Sequence, residues 1–189
     1  MRRWLNRLYD ASGMAAAAML IAICALVAAQ ITLRLIDNAA HLLLGQRFGL
    51  MIPSVAEIAG FLLAAASFLA LAHAFRHGAH IRVNLLLSRL PASLRRLAEV
   101  FSLAVALGLT VFFGWNVWLM VVDSHAFGEV SYGIVAIPLW IPQAAMLLGI
   151  VVFAIAIADD LLMVLRGRPP SYERAEATGA AENDLAAVE

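Results

Sequence analysis

Histidines, one glutamate and a cluster of acids and arginines are the side chains here that could carry chemistry. His73 and His77 stand one helical turn apart with His80 three residues further on, a spacing that could begin a metal site. Zinc asks for a third or fourth ligand and for second partners that orient them. His80 follows Gly78, where a helix would end, so the plainer reading sets these rings among lipid headgroups beside Arg76. Glu57 also has two readings. Ser54-Val55-Ala56-Glu57 has the form of a capping box, in which the glutamate serves the backbone. The alternative is a carboxylate at membrane depth that pairs with another subunit. Its place in a first helical turn favours the cap. The third grouping is Asp159 and Asp160 with Arg95, Arg96 and Glu99, which the pattern predicts at one level as a charge cluster. Solvated, such pairs contribute little.

Nothing further suggests an enzyme or a cofactor. The chain holds no phosphate-binding loop, no dinucleotide fingerprint and no serine elbow. Cys24 is the single cysteine and lies in an apolar stretch, which excludes an intramolecular disulfide and disfavours a thiolate. Nucleic acid is excluded as a partner too, because the basic residues are dispersed with no interleaved aromatics.

The elements that must hold these residues are membrane spans. At 63% hydrophobic and 14% charged, the 189 residues are far more apolar than a soluble domain. The chain reads as an all-α membrane protein of four helices, each with the roughly 20 apolar residues a bilayer needs. All thirteen basic residues are arginines. Arg2, Arg3 and Arg7 precede the first stretch. Arg76, Arg82, Arg89, Arg95 and Arg96 lie between the second and third, and Arg166, Arg168 and Arg174 follow the fourth. The other two connections hold Arg47, with Arg34 at the end of the first stretch. Because cationic loops stay in the cytoplasm, both termini are expected inside.

The expected order is a cytoplasmic start (1–11), a first span (12–36), a periplasmic loop (37–53) and a second span (54–75). A cytoplasmic connection (76–96), a third span (97–122), a second periplasmic loop (123–136) and a fourth span (137–165) follow. The remaining 166–189 is a polar, turn-rich tail of disordered composition. The start could instead be a signal peptide cleaved after Val27-Ala28-Ala29, although Asp10 and the apolar run through Ile36 argue against it. Ala56, Gly60 and Ala64 form a small-residue row that lets a helix approach closely. Val83, Leu86, Leu87 and Leu90 make one apolar stripe, so 81–90 reads as a short amphipathic helix in the inner headgroup plane, its arginines available to anionic lipid. Gln30, Thr32, Thr110 and Asn116 are the notable polar groups within the spans. They suffice for hydrogen bonds between helices and fall short of a solute pathway. Internal repeats and broken helices, common in transporters, do not occur.

From Ser54 onward the order of features resembles the DctQ family, the small membrane subunit of tripartite ATP-independent periplasmic (TRAP) transporters. The resemblance is carried by Glu57, by Arg76-His77-Gly78-Ala79-His80-Ile81-Arg82-Val83, by Leu90-Pro91-Ala92-Ser93-Leu94-Arg95-Arg96 and by Ile137-Pro138-Leu139-Trp140-Ile141-Pro142. All four helices follow in order over about 12–165. One departure is Val55 and Ala56, where members often carry an aromatic or a second acid, so no role needing two carboxylates is implied there.

The resemblance implies a small scaffold subunit in the bacterial inner membrane, without cofactor or metal. A soluble periplasmic protein would bind an organic anion, often a carboxylate, and a large membrane subunit would import it on a sodium gradient. Glu57, Gly60, Arg76, His80, Arg82, Arg95 and Arg96 become candidates for contact with the large subunit or lipid. Arg47, Asp123 and Glu129 become candidates for facing the binding protein. Two alternatives stand beside this reading. One is a haem-bearing anchor of a quinone-linked oxidoreductase, which needs histidines on facing helices. The other is a self-contained homodimeric exporter, which would use a carboxylate within a span.

Overall fold

In the computed structural model, residues 2–46, 48–76 and 92–167 are described. They form four helices: α1 (Arg2–Leu44), α2 (Val55–Arg76), α3 (Ala92–Ala126) and α4 (Trp140–Leu165). No strand occurs among the described residues, and all four helices are long and apolar enough to cross a membrane. The expected amphipathic helix 81–90 lies outside the described residues, as do Arg47, His77, His80, Arg82 and the tail from 168.

α1 and α3 overrun the spans expected from apolarity. α1 has 43 residues, about 65 Å at 1.5 Å each, or twice the hydrocarbon thickness. Apolar runs mark what lipid demands, whereas backbone hydrogen bonding carries a helix on through Asp37 and His41. The first connection is correspondingly shorter than expected, starting at Gly45, which closes α1 in the left-handed conformation (φ 68°) favoured by glycine. α4 begins later than expected, at Trp140. Pro138 is drawn into a short antiparallel bridge with Val130 instead.

Side by side the order is α1, α2, α4, α3, with α1 touching α4 only slightly. Neighbours α1 and α2 are antiparallel, as Arg76 meets Asn6 and Ile52 meets Gln30. α3 and α4 are antiparallel as well, with Arg96 at Leu165 and His125 at Trp140. α2 and α4 run parallel. Hence the start of α1, the end of α2, the start of α3 and the end of α4 share one end, here called the arginine end. The connections 45–54 and 127–139 form the loop end.

Packing falls into three apolar clusters. Tyr9, Ala72, Val152 and Ala156 join α1, α2 and α4. Ala16, Ala66 and Leu69 join α1 and α2. Leu103, Ile157 and Val164 join α3 and α4, with Phe75 of α2 packed alongside. Small residues let these helices close up. A Cβ on Gly149 would lie 2.5 Å from the Phe68 carbonyl carbon, so α2 and α4 meet backbone to backbone there. On the other side Phe68 stacks on Phe113 of α3, ring centroids 6.0 Å apart. In the row Ala56, Gly60 and Ala64, the first two are exposed and Ala64 is half-buried. Gly60 faces open space, on the side of α2 opposite buried Ala65 and Ala72.

Candidate functional site: the two ends of the bundle

At the arginine end α1 is fastened to α2 by polar contacts that hydropathy does not reveal. Tyr9 is buried, and the Arg76 guanidinium lies 4.8 Å from its ring centroid while donating to the Asn6 side-chain Oδ1 at 2.7 Å. The Ser12 hydroxyl donates to the Leu69 carbonyl from a buried position. Gly13 makes room for the His73 ring, whose Nδ1 stands 3.7 Å from an Asp10 carboxylate oxygen. His73 is thus engaged between two helices, His125 packs edge-on to Trp140, and His41 lies exposed near the end of α1. These three stand apart from one another.

The acids and arginines of the third grouping stand on the start of α3 and the last turns of α4. Arg95 Nε donates to Glu99 at 3.2 Å, one turn along α3, with the Glu99 side chain buried. Arg96 reaches the Leu165 carbonyl at 2.8 Å and closes α3 against the end of α4. Such a cation at a helix C-terminus meets both the spare carbonyls and the negative end of the dipole. Asp160 is fully buried on α4, while Asp159 beside it is half-buried.

Expectations for the other polar groups need correction. Thr32, Thr110 and Asn116 each bond back to the carbonyl four residues earlier in their own helix. In apolar surroundings that carbonyl is always within reach, which frees these side chains from needing a neighbouring helix. Ser12 makes the cross-helix bond instead.

The loop end corrects the capping box. Ser54 adopts a left-handed backbone (φ 56°), uncommon for a residue with a Cβ. Its hydroxyl accepts the N–H of Val135 at 3.0 Å, and its carbonyl takes the N–H groups of Glu57 and Ile58. Glu57 turns beneath Gly133, where one carboxylate oxygen is buried without a hydrogen-bond partner. The connection above is itself well bonded. Ser131 N–H donates to Ile137 O, Leu139 N–H to Glu129 O, and Ile137 N–H to the Ser131 hydroxyl. The Ser124 hydroxyl donates to Glu129 at 2.7 Å. Asp123 takes the N–H of Phe127 on its carbonyl as α3 ends. On the other connection, Asp37 accepts the N–H groups of Phe48 and Gly49, and Gln30 accepts that of Ile52.

Among the described residues, two largely apolar cavities lie between the ends. A groove of about 620 Å³ runs between α3 and α4, lined by Thr110, Gly114, Trp115, Trp118, Ile150 and Ala154 among others. A smaller one of about 200 Å³ lies among Met19, Phe61, Ala65, Ile141 and Pro142. Thr110, the polar side chain of the larger groove, already spends its hydroxyl on Ala106.

Residues 23–167 match the family model of the DctQ component of tripartite ATP-independent periplasmic transporters. The chain belongs to the DctQ family. As a DctQ component it is a transport protein of the membrane, and the match covers the loop end, the α2–α4 contact and the arginine end from α2 onward. It begins within α1, so Asn6, Tyr9, Asp10, Ser12 and Gly13 precede it. No curated protein and no solved structure matches the chain.

Proposed function

We propose that this DctQ component is a scaffold subunit that supports the large membrane subunit of a TRAP transporter. The whole complex would take up an organic anion, a carboxylate by preference, delivered by a soluble receptor and driven by a sodium gradient. The family match carries this reading. The largely apolar lining of the two cavities supports it, since a carboxylate would find little along them to replace its water. The arginine end is the cytoplasmic one in this reading. Among the described residues it gathers Arg7, Arg76, Arg95, Arg96 and Arg166, against Arg34 toward the loop end. The membrane is then the bacterial inner membrane, with the loop end in the periplasm.

The exposed small face of α2, with Ala56 and Gly60, suits a flat helix of the large subunit, as close approach drives association where lipid is as apolar as the helix. Arg95 and Arg96 stand at the inner headgroup level for lipid or for that subunit. Arg76 is committed to α1, so its contribution to assembly is indirect. His80, Arg82 and Arg47 keep their proposed partners on the ground of the resemblance.

Co-expression with the large subunit tests the proposal. A tag on this chain should retain the large subunit through detergent purification, and uptake in liposomes should need both, with this chain alone inert. Uptake by this chain alone, or no retention of the large subunit, would overturn it.

A further inference from the structure

We propose that the last turns of α1, residues 31–43, rest on the lipid leaflet at the loop end. An apolar face lies among the upper acyl chains there, and a polar face is turned to water.

This segment stands past the bundle. Gln30 accepts the N–H of Ile52 just ahead of α2, so α1 runs on for about 20 Å beyond the level where α2 begins. Its residues divide between two faces. Arg34, Asp37, Asn38 and His41 fall at i, i+3, i+4 and i+7, which sets all four on one side of the helix. Leu35, Ile36, Leu42 and Leu43 lie opposite, with Leu42 and Leu43 each 83% exposed. The connection returns along the polar side, where Asp37 accepts the N–H groups of Phe48 and Gly49. The apolar side is left open, and an aliphatic patch there would be costly in water.

Continuity chooses the occupant. Ile21, Cys24, Ala28, Ile31, Leu35 and Leu42 stand three, four or seven residues apart, all of them exposed. One stripe therefore runs unbroken from the middle of the span, where acyl chains cover it, into the overhang. No glycine or proline occurs between Gly13 and Gly45, so α1 has no hinge at which the overhang could turn from the axis of the span. Span and overhang must lean together. A lean toward the apolar side brings Leu42 and Leu43 down onto the lipid and lifts Arg34, Asn38 and His41 toward water, as in an interfacial amphipathic helix. A second membrane helix is a poorer match, because the overhang presents Leu35, Ile36, Leu42 and Leu43 rather than the small residues that allow close approach. Arg34 and Asp37 offset each other in charge, so the contact needs no anionic lipid. Only the naming of that leaflet as the periplasmic one rests on the proposed function.

The test places a nitroxide at single cysteines in a Cys24→Ala background, in complex with a large subunit free of reactive cysteines, in phosphatidylcholine nanodiscs. At Leu35→Cys, Leu42→Cys and Leu43→Cys, collisions with oxygen, which concentrates in lipid, should outnumber those with a water-soluble nickel chelate. At Asn38→Cys and His41→Cys the chelate should prevail, so the ratio should differ several-fold between the faces. All five positions are exposed, so these substitutions leave the packing of the bundle intact. A photo-reactive side chain at position 42 should couple to phospholipid. Equal ratios on both faces, or a chelate-dominated signal at 42 and 43, would overturn the inference. So would coupling from 42 to the large subunit, or protection of 42 and 43 from both reagents that arises only when that subunit is present. A large subunit that failed to co-purify would count against the scaffold reading alone, since the same labels can be read on this chain by itself.

Discussion

Gly149 of α4 rests on the peptide joining Phe68 to Leu69 of α2. A Cβ there would lie 2.6 Å from the Phe68 oxygen and 2.7 Å from the Leu69 nitrogen. These obstacles are backbone atoms, which cannot swing aside as a side chain can. Gly60 on the same α2 meets nothing within 4 Å. Two glycines of equal helix propensity therefore serve different surfaces.

The contrast gives a paired prediction. Gly149→Ala should force α2 and α4 apart at a cost of about 1–3 kcal/mol and lower the unfolding midpoint of the purified subunit by several degrees. Gly60→Leu should leave that midpoint unchanged and abolish co-purification of the large subunit. A stable Gly149→Ala variant, or a Gly60→Leu variant that still holds the large subunit, would refute the respective half.

The N-terminal turns of α1 should remain in the mature protein. Tyr9, Ser12 and Ala16 are buried against α2, and Arg76 spends its charge on Asn6 and on the Tyr9 ring. Cleavage after Ala29 would strip these partners and the bond from the Ser12 hydroxyl to the Leu69 carbonyl. Intact mass should include the first turns, and an epitope placed ahead of Arg2 should persist on the membrane-embedded chain. Tyr9→Ala should lower stability by about 3 kcal/mol or more, as expected for a buried aromatic. Arg76→Glu should also destabilise the isolated subunit, by about 1 kcal/mol through the lost ring contact and hydrogen bond. A mature chain lacking Tyr9 would refute the retention.

Helix number and order were legible because a bilayer imposes one length on every apolar stretch, whatever its neighbours. Neighbour choice was not legible. That α4 sits between α2 and α3 follows from Gly149 against Phe68 and Gly114 against Ile150, and none of these departs from the apolar background of its helix. That Arg96 would come near the end of α4 could be read from the sequence, since antiparallel spans of similar length bring those ends to one level. The Ser54–Glu57 pattern misled, because a capping box and a clasp to a distant loop use the same residue types. Only the position of Val135, 81 residues away, distinguishes them. Gly133 held a usable signal: a glycine between two large exposed residues marks a close approach.

Orientation is checked with single cysteines in a Cys24→Ala background. Tyr132→Cys should react with a membrane-impermeant maleimide added to intact spheroplasts. Arg166→Cys, just past α4, should react only once the membrane is opened. The positive charge gathered at the arginine end predicts this sense. The reverse labelling pattern would invert the topology and with it the side on which a receptor could dock.

The connection 45–54 is held by one carboxylate. Asp37 takes the N–H of Phe48 at 2.7 Å and of Gly49 at 3.0 Å, and Gly49 turns there in a left-handed conformation (φ 66°). Bonds to an ionised acceptor are the stronger kind, and here a single side chain satisfies two donors that α1 cannot reach with its own backbone. Asp37→Ala should therefore loosen this turn while leaving the α2–α4 contact intact, since Gly149 and Phe68 lie far along the bundle. Limited proteolysis in detergent should cut within 45–52 several times faster than in the parent, with no change in unfolding midpoint. Asp37→Asn keeps one acceptor oxygen and should fall between the two. Equal cutting of all three proteins would show that the turn is held by something other than Asp37.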